Sequence, residues 1–406
     1  MQRVYLDNSA STRVDPAVVV AMLPYFTELF GNASSKHSYG AEVAGAVRAA
    51  RQQIVQLIGA GSGDEIVFTS GGTESDHAAI LSALETQTGR DEIIVSAVEH
   101  PAVLALCDHL EKTRNIKIKR IGVDAQGRLD IQAYHDALSP KTAIASIMWA
   151  NNETGTLFPV ERLAAMAREA GALFHTDAVQ AVGKAPVNVN ATAIDMLSIS
   201  AHKLHGPKVV GALYVRKGVK YRPNIFGGRQ ERGRRAGTEN VPGIVGFGKA
   251  AELAAIHIWD QLTRVQSLRN RLEMSLTHLI DGAVILGDVS ARIASTSCMA
   301  FSDIESDAIL TLLDQKGIAA SAGSACASGA MEPSHVLRAM RVPFTLAHGA
   351  IRFSLSRDNC DADIDLVLDA MPAIVKKLRR RSVAEERESM PHIQPRSQAM
   401  PTALGA

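Results

Sequence analysis

The chain has 406 residues, of which 46% are hydrophobic and 21% charged, with a formal net charge of +1. Those values suit a soluble globular protein with one large and one smaller domain, and they argue against a nucleic-acid or anionic-membrane partner. No apolar run is long enough to span a bilayer, and Met1-Gln2-Arg3-Val4-Tyr5-Leu6-Asp7 lacks the apolar stretch of a secretory signal, so a cytoplasmic protein is expected.

After an extended polar stretch through Thr12, a helix is predicted from about Pro16, with Val18, Val19, Met22 and Leu23 on one face. A second helix is predicted over 41–58. Val43, Val47, Ala50, Ile54 and Leu57 share a face, Arg48, Arg51, Gln52 and Gln56 lie off it, and Gly59 stops it. Strand patterns centred near Val67, Ile94, Ile118, Ser146, Leu173 and Leu197 then alternate with helical ones, which predicts an α/β fold with a mostly parallel sheet. The apolar run at 209–215 follows the Leu197 strand too closely for a parallel crossover. A seventh, antiparallel strand near Leu213 is therefore expected, with Lys203 in the connecting turn between two histidines and the Gly206-Pro207 break.

A polar, glycine-rich loop occupies 227–238. One long helix is predicted over about 242–281, with Leu262, Val265, Leu268, Leu272 and Leu279 as its apolar stripe. The remainder reads as strand, strand, helix, loop, helix, strand and helix, a smaller α+β domain. The expected division is 15–255 for the large domain, 1–14 with 256–381 for the small one, and 382–406 as a flexible tail.

In such sheets ligands sit beyond the carboxyl ends of the strands. The first of these ends runs into Gly71-Gly72-Thr73-Glu74-Ser75 and a helix, a phosphate seat without the lysine of a P-loop. His100 ends the second and reads either as a satisfied core histidine or as a ring-stacking proton carrier. Asn152 offers an amide. Asp177 either caps the next turn or pairs with a protonated pyridine nitrogen. Lys203 reads as a solvated turn lysine or as a Schiff-base lysine. Together a phosphate seat, a stacking ring, an acid and an amine are what pyridoxal phosphate needs.

The chain resembles the cysteine desulfurases of the class V aminotransferase group, and most of all their nitrogen-fixation (NifS-like) type. The resemblance runs from Tyr5-Leu6-Asp7-Asn8 to about residue 378, through Gly72-Thr73-Glu74-Ser75, Val98-Glu99-His100-Pro101, Asn151-Asn152-Glu153, His175-Thr176-Asp177-Ala178-Val179-Gln180, the Lys203 stretch, the Cys326 loop and Ile351-Arg352-Phe353-Ser354. It implies the aminotransferase-type (fold type I) fold and pyridoxal 5′-phosphate as cofactor. Lys203 would be its covalent holder, Asp177 the partner of the ring nitrogen and His100 the stacking ring. Gln180 and Asn152 would meet the ring oxygen. Gly72, Thr73, Ser200, Ala201 and His202 would seat the phosphate, with Thr238 arriving from the second subunit of a homodimer. Arg352, with Asn152, would bind the carboxylate of L-cysteine. Val209 stands where the family commonly has glycine, and Arg229 where a histidine is common.

The four cysteines are Cys107, Cys298, Cys326 and Cys360, scattered without zinc-type pairing. Residues 319–330 carry no side chain larger than a thiol or hydroxyl, so the segment buries little, and Cys326 in its middle reads as a nucleophile on a moving arm. Cys107 and Cys298 read as core, Cys360 as a bystander. The resemblance makes Cys326 the persulfide carrier, which passes sulfur to an iron–sulfur scaffold protein and stands as a transient iron–sulfur ligand. No resident metal is expected. The housekeeping type of desulfurase, a selenocysteine lyase and an aminotransferase are the alternatives; the last needs no cysteine loop.

Overall fold

The computed structural model describes residues 3–322 and 333–389, with helix backbone alone over 381–389. Its strands are β1 (Val4–Tyr5), β2 (Ile66–Thr69), β3 (Glu92–Ser96), β4 (Lys117–Ile121), β5 (Thr142–Ser146), β6 (Leu173–Asp177), β7 (Met196–Ser200), β8 (Gly211–Val215), β9 (Ala283–Leu286), β10 (Thr296–Phe301), β11 (Ile318–Ala319) and β12 (Ala350–Ser354). Seven of them form one sheet in the order β2-β8-β7-β6-β5-β3-β4. β8 is antiparallel to both β2 and β7, and the other pairs are parallel, as the short Lys203 connection requires. Helices cover both faces, so β2, β3, β5, β7 and β8 are buried along their whole length. The edge strand β4 carries Lys117, Lys119 and Arg120, charges that discourage pairing with another chain.

Opposite Gly211 stand Thr69 on one side and Ser200 on the other. That register brings the Gly71-Gly72 turn, the Lys203 turn and Asp177 to a single edge of the sheet. Close backbone approach makes it possible: a Cβ on Gly211 would lie 2.7 Å from the Gly71 Cα.

A second core surrounds the antiparallel sheet β12-β10-β9. Leu268, Leu272 and Leu276 from Gln266–Leu279, Ile309 and Leu313 from Ser306–Gln315, and Ile364 and Val367 from the last helix pack on Met299, Phe301 and Phe353. Val4 and Leu6 join them, because β1 pairs in parallel with β11. No single helix among the described residues is long and apolar enough to cross a membrane.

Several expectations are corrected. The helix expected over 242–281 is broken into Val241–Ile256, Ile258–Asp260, a π turn at Gln261–Val265 and Gln266–Leu279, with a bend of 55°. Its first part buries Ile244, Phe247 and Ala251 in the large core and its last part serves the small one, so one straight axis cannot satisfy both. Within the stripe Leu276 is buried where Leu279 was expected, and Leu279 is exposed. The last helix, Asp361–Ser389, runs past the expected boundary at 381.

Arg51 is also not on a solvated face. It is buried on the helix Ser38–Ile58, over the Phe68 ring, and donates through Nη1 and Nη2 to the two carboxylate oxygens of Glu231 (2.8 and 2.6 Å). Glu231 also accepts from the Phe68 amide at 2.9 Å. This pair anchors the 227–238 loop, whose Glu231 and Arg232 both hold left-handed backbone (φ +48° and +60°). Removing one partner of a buried pair leaves the other charge uncompensated. Glu231→Ala is expected to cost about 3 kcal/mol in denaturant unfolding, whereas removing the exposed ion pair of Arg271 should leave the unfolding midpoint unchanged.

Candidate active site

Lys203 ends a single 3₁₀ turn, Ala201–Lys203, directly after β7. Its Nζ donates to two neutral acceptors, the carbonyl oxygens of Ser9 (2.5 Å) and Ala10 (2.8 Å). Burial, aided by the Arg352 guanidinium, brings the amine down to about 8 against the pull of Asp177 and Asp7. The turn itself is sewn to the N-terminal segment. Thr12 N–H and Oγ1 donate to the His202 carbonyl, and Asp15 N–H to that of His205. His202 Nδ1 meets Ser11 Oγ, and burial with three neighbouring lysines lowers that imidazole to about 4. Val209, in the return to β8, is exposed and holds φ +59°, the left-handed region that glycine enters freely and a β-branched residue does not.

Asp177 ends β6. It is buried, and its Oδ1 accepts from the Val179 amide at 2.9 Å, so it does cap the following turn. Burial raises its carboxyl, opposed by that amide, His100 and Lys203. Behind it on the same strand His175 is fully buried between Ser146 Oγ and Ser198 Oγ, and burial lowers it to about 3, so it is neutral. Gln180 Nε2 donates to the Ser9 carbonyl at 2.9 Å, the same oxygen that holds Lys203.

Gly71 N-caps the helix Gly72–Thr86 at φ +152° with no side-chain cap, leaving the first-turn amides open to an anion. A Cβ on Gly72 would meet Val179 Cγ2 at 2.9 Å, so the cradle closes if that residue gains a side chain. Ser200 borders these glycines, Ala201 is buried beneath, and Thr73 is exposed at the helix start. Arg235 and Glu74 tie the 227–238 loop to the same helix at 2.9 Å. Thr238, farther along that loop, is exposed.

His100 Nδ1 accepts from the Ala102 amide at 3.1 Å, capping the helix Pro101–Arg114. Its proton is then on Nε2 in the neutral ring, and burial lowers its pKa. Asn152 Oδ1 is buried and has no hydrogen-bond partner among the described residues. Arg352, in the middle of β12, donates Nη1 to the Asn152 carbonyl (2.9 Å) and Nη2 to Asp7 Oδ1 (2.7 Å), while Nε has no partner among the described residues. Of the other thiols, Cys107 and Cys298 are buried and pushed up to about 12, and Cys360 is exposed. Cys326 lies outside the described residues.

The class-V aminotransferase pattern matches residues 4–367. A cysteine desulfurase of Gluconacetobacter diazotrophicus is 67% identical over 94% of this chain and 96% of that one. The cysteine desulfurase NifS of Azotobacter vinelandii is 53% identical over 94% and 95%. The chain belongs to the cysteine desulfurases of aminotransferase class V. It is a pyridoxal-phosphate-dependent enzyme. Among solved structures, a NifS-like protein superposes with a TM-score of 0.87 at 37% identity, over 93% of this chain and 100% of that one. The NifS-like protein of Rickettsia africae superposes with a TM-score of 0.82 at 30% identity, over 92% and 100%.

The residues present fit the cofactor: a glycine cradle at an open helix N-terminus, a buried acid and a desolvated amine meet at one sheet edge, and an amide oxygen without a partner among the described residues lies beside Arg352. Asp7, Ser9 and Ala10 were not singled out in the sequence. Their polar, extended composition carried no signal beyond the family motif at Asp7.

In the apoprotein, trinitrophenylation of Lys203, followed by peptide mapping, should titrate near pH 8 and not near 10.5. The unfolded chain holds this proton between those values and the folded chain does not. The group's penalty on stability is therefore full below about 8 and fades as pH rises toward 10.5.

Proposed function

We propose that this desulfurase works through Lys203 and Asp177 at the edge of the large sheet and through Cys326 as sulfur acceptor. The observation that carries the reading is a buried amine and a buried acid meeting beside an open helix N-terminus. Bound there, pyridoxal phosphate supplies an electron sink for the α-carbon of the substrate. Lys203 would hold it covalently, and Asp177 would keep its ring nitrogen protonated. His100 would lie against the ring, and Gln180 and Asn152 would take the ring oxygen. Gly72, Thr73, Ser200, Ala201 and His202 would hold the phosphate.

The chain's own steps follow. Arg352 binds the carboxylate of L-cysteine as a planar two-toothed donor, exchanging the Asp7 carboxylate it now holds for that of the substrate. Lys203, poised near neutrality, moves the α-proton. The Cys326 thiolate attacks the substrate sulfur: the new S–S bond forms, the C–S bond breaks, and alanine leaves. Where the chain enters and leaves the segment around Cys326, it is fixed beside these groups. Ser321 and Arg352 exchange backbone hydrogen bonds, and on the far side His335 Nε2 bonds the Glu99 carbonyl, next to His100. The persulfide sulfur passes to an iron–sulfur scaffold protein, and likeness to a relative named NifS favours the NifS type over the housekeeping type.

We place the enzyme in the cytoplasm, where a reducing milieu keeps Cys326 free. The separate core around Val4, Leu6, Leu272, Phe301 and Phe353 favours a small domain at 1–14 and 256–381 beside a large one at 15–255, with Leu286, Cys298 and Val336 packing across that boundary onto the large core. A homodimer would cover the exposed Val20, Leu23, Phe26, Phe30 and Phe226 and present Thr238 to the partner's phosphate seat.

Cys326→Ala should retain the cofactor and its response to L-cysteine while alanine formation falls at least a hundredfold, followed by amino-acid analysis with mass spectrometry of the Cys326 peptide (~10²-fold, as for loss of a nucleophile). Near-normal alanine output would mean that sulfur leaves without thiol attack. Mixing inactive Thr238→Val and Lys203→Ala proteins should restore part of the activity if sites are shared. No recovery on mixing, with a monomer by light scattering, would overturn the dimer.

A further inference from the structure

Five residues after Val179 the chain carries a second lysine, Lys184, which the chemistry above does not use. The turn from Ala178 to Ala185 is wound like a helix: Val182 N–H donates to the Ala178 carbonyl and Ala185 N–H to that of Ala181. Gly183 at φ +77° lets it close, packed within 3.4 Å of Ala254 and Leu204 in the space a Cβ would take. The winding puts Gln180 and Lys184 side by side, four residues apart. Lys184 is buried, and its Nζ donates to Gln180 Oε1 at 2.7 Å. Among the described residues it makes no ion pair.

A buried ammonium without an anion is costly and calls for a reason. Two cations, Lys203 and Arg352, act on it directly, and the side chains of His205, His257 and Arg357 line the same small cavity, about 20 Å³, room for one water. Burial, with Lys203 and Arg352, brings the Lys184 amine down to about 7. Lys203, its neighbour, also faces His100, His202, Asp177 and Asp7.

What Lys184 does geometrically is decided by donor chemistry. An ammonium only donates and a carbonyl only accepts, so Lys184 fixes one end of the Gln180 amide as oxygen and Ser9 fixes the other as nitrogen. One N–H of Nε2 remains. We propose that Lys184 is a positioning residue for the cofactor: it locks the Gln180 amide so that this remaining N–H is kept for the ring oxygen. The inference rests on the reading of Gln180 given above.

The test uses Lys184→Met and Gln180→Leu in the full chain. It measures cofactor affinity by fluorescence quenching, the pH midpoint of the bound cofactor's visible absorption, and the thermal midpoint of the apoprotein. Lys184→Met should weaken cofactor affinity about tenfold, as loss of one ordered hydrogen bond does. It should raise the absorption midpoint by about half a pH unit, because removing a nearby cation favours the protonated Lys203 nitrogen. The apoprotein midpoint should not fall, since methionine replaces a buried, unpaired cation. Unchanged affinity and absorption midpoint in Lys184→Met, with both altered in Gln180→Leu, overturn the inference alone. Both unchanged in Gln180→Leu remove the ring-oxygen reading, and the inference with it. Should Lys184→Met not fold, Lys184→Gln takes its place: its amide can accept as well as donate and so no longer dictates the Gln180 orientation. Weakened cofactor affinity supports the inference, and unchanged affinity overturns it.

Discussion

Two backbone carbonyls, those of Ser9 and Ala10, hold the Lys203 amine, and much of the molecule is arranged to put them there. The segment that carries them starts in the small core with Val4 and Leu6 and pairs with β11. It bonds β12 through Asn8 and Ser354, then runs to the Lys203 turn through Thr12. A short polar stretch thus registers the Arg352 strand against the Lys203 turn. Carbonyls suit this task better than a carboxylate would. They steer the amine without fixing a full counter-charge on it, so its proton stays easy to remove.

Charge is the second organising constraint. Among the described residues, Lys203, Lys184 and Arg352 lie near one another, with Asp177 and Asp7 as the acids that act on Lys203. Confined cations without enough anions are costly in a bare protein. They become favourable when a phosphate, a phenolic oxygen and a carboxylate arrive, because each ligand group supplies a missing negative charge. The site is built for anions before any is present, and the cost of building it is carried by the rigid sheet edge below. Neutral His175 and the raised acids Asp76 and Glu99 extend the same logic downward: burial disfavours their charged forms even where hydrogen bonds are made.

Legibility in the sequence followed locality. The antiparallel β7–β8 pair was readable because its connection is too short for anything else, and Lys203 came with it. Gly71-Gly72 and Asp177 were readable because each sits where a strand pattern ends. The broken helix after Val241 was not, since its periodicity continues through the break while the core it serves changes. β11 has two residues and no pattern of its own; it exists because β1 lies beside it. The burial of Arg51 was not readable, because its partner, Glu231, is distant in sequence. Lys184 could have been found from its spacing to Gln180, but spacing alone does not show burial.

Val209 has a consequence for how the Lys203 turn has diverged. Its backbone sits where glycine is at ease, yet a valine occupies it and points into open space. A side chain that touches little cannot repay the strain through packing within the chain. The turn therefore keeps its shape because both flanks, β7 with β8 and the N-terminal staple, impose it from outside. A hairpin so constrained tolerates a poor residue at its tip, because the bonds at its base hold a shape that glycine would adopt unaided.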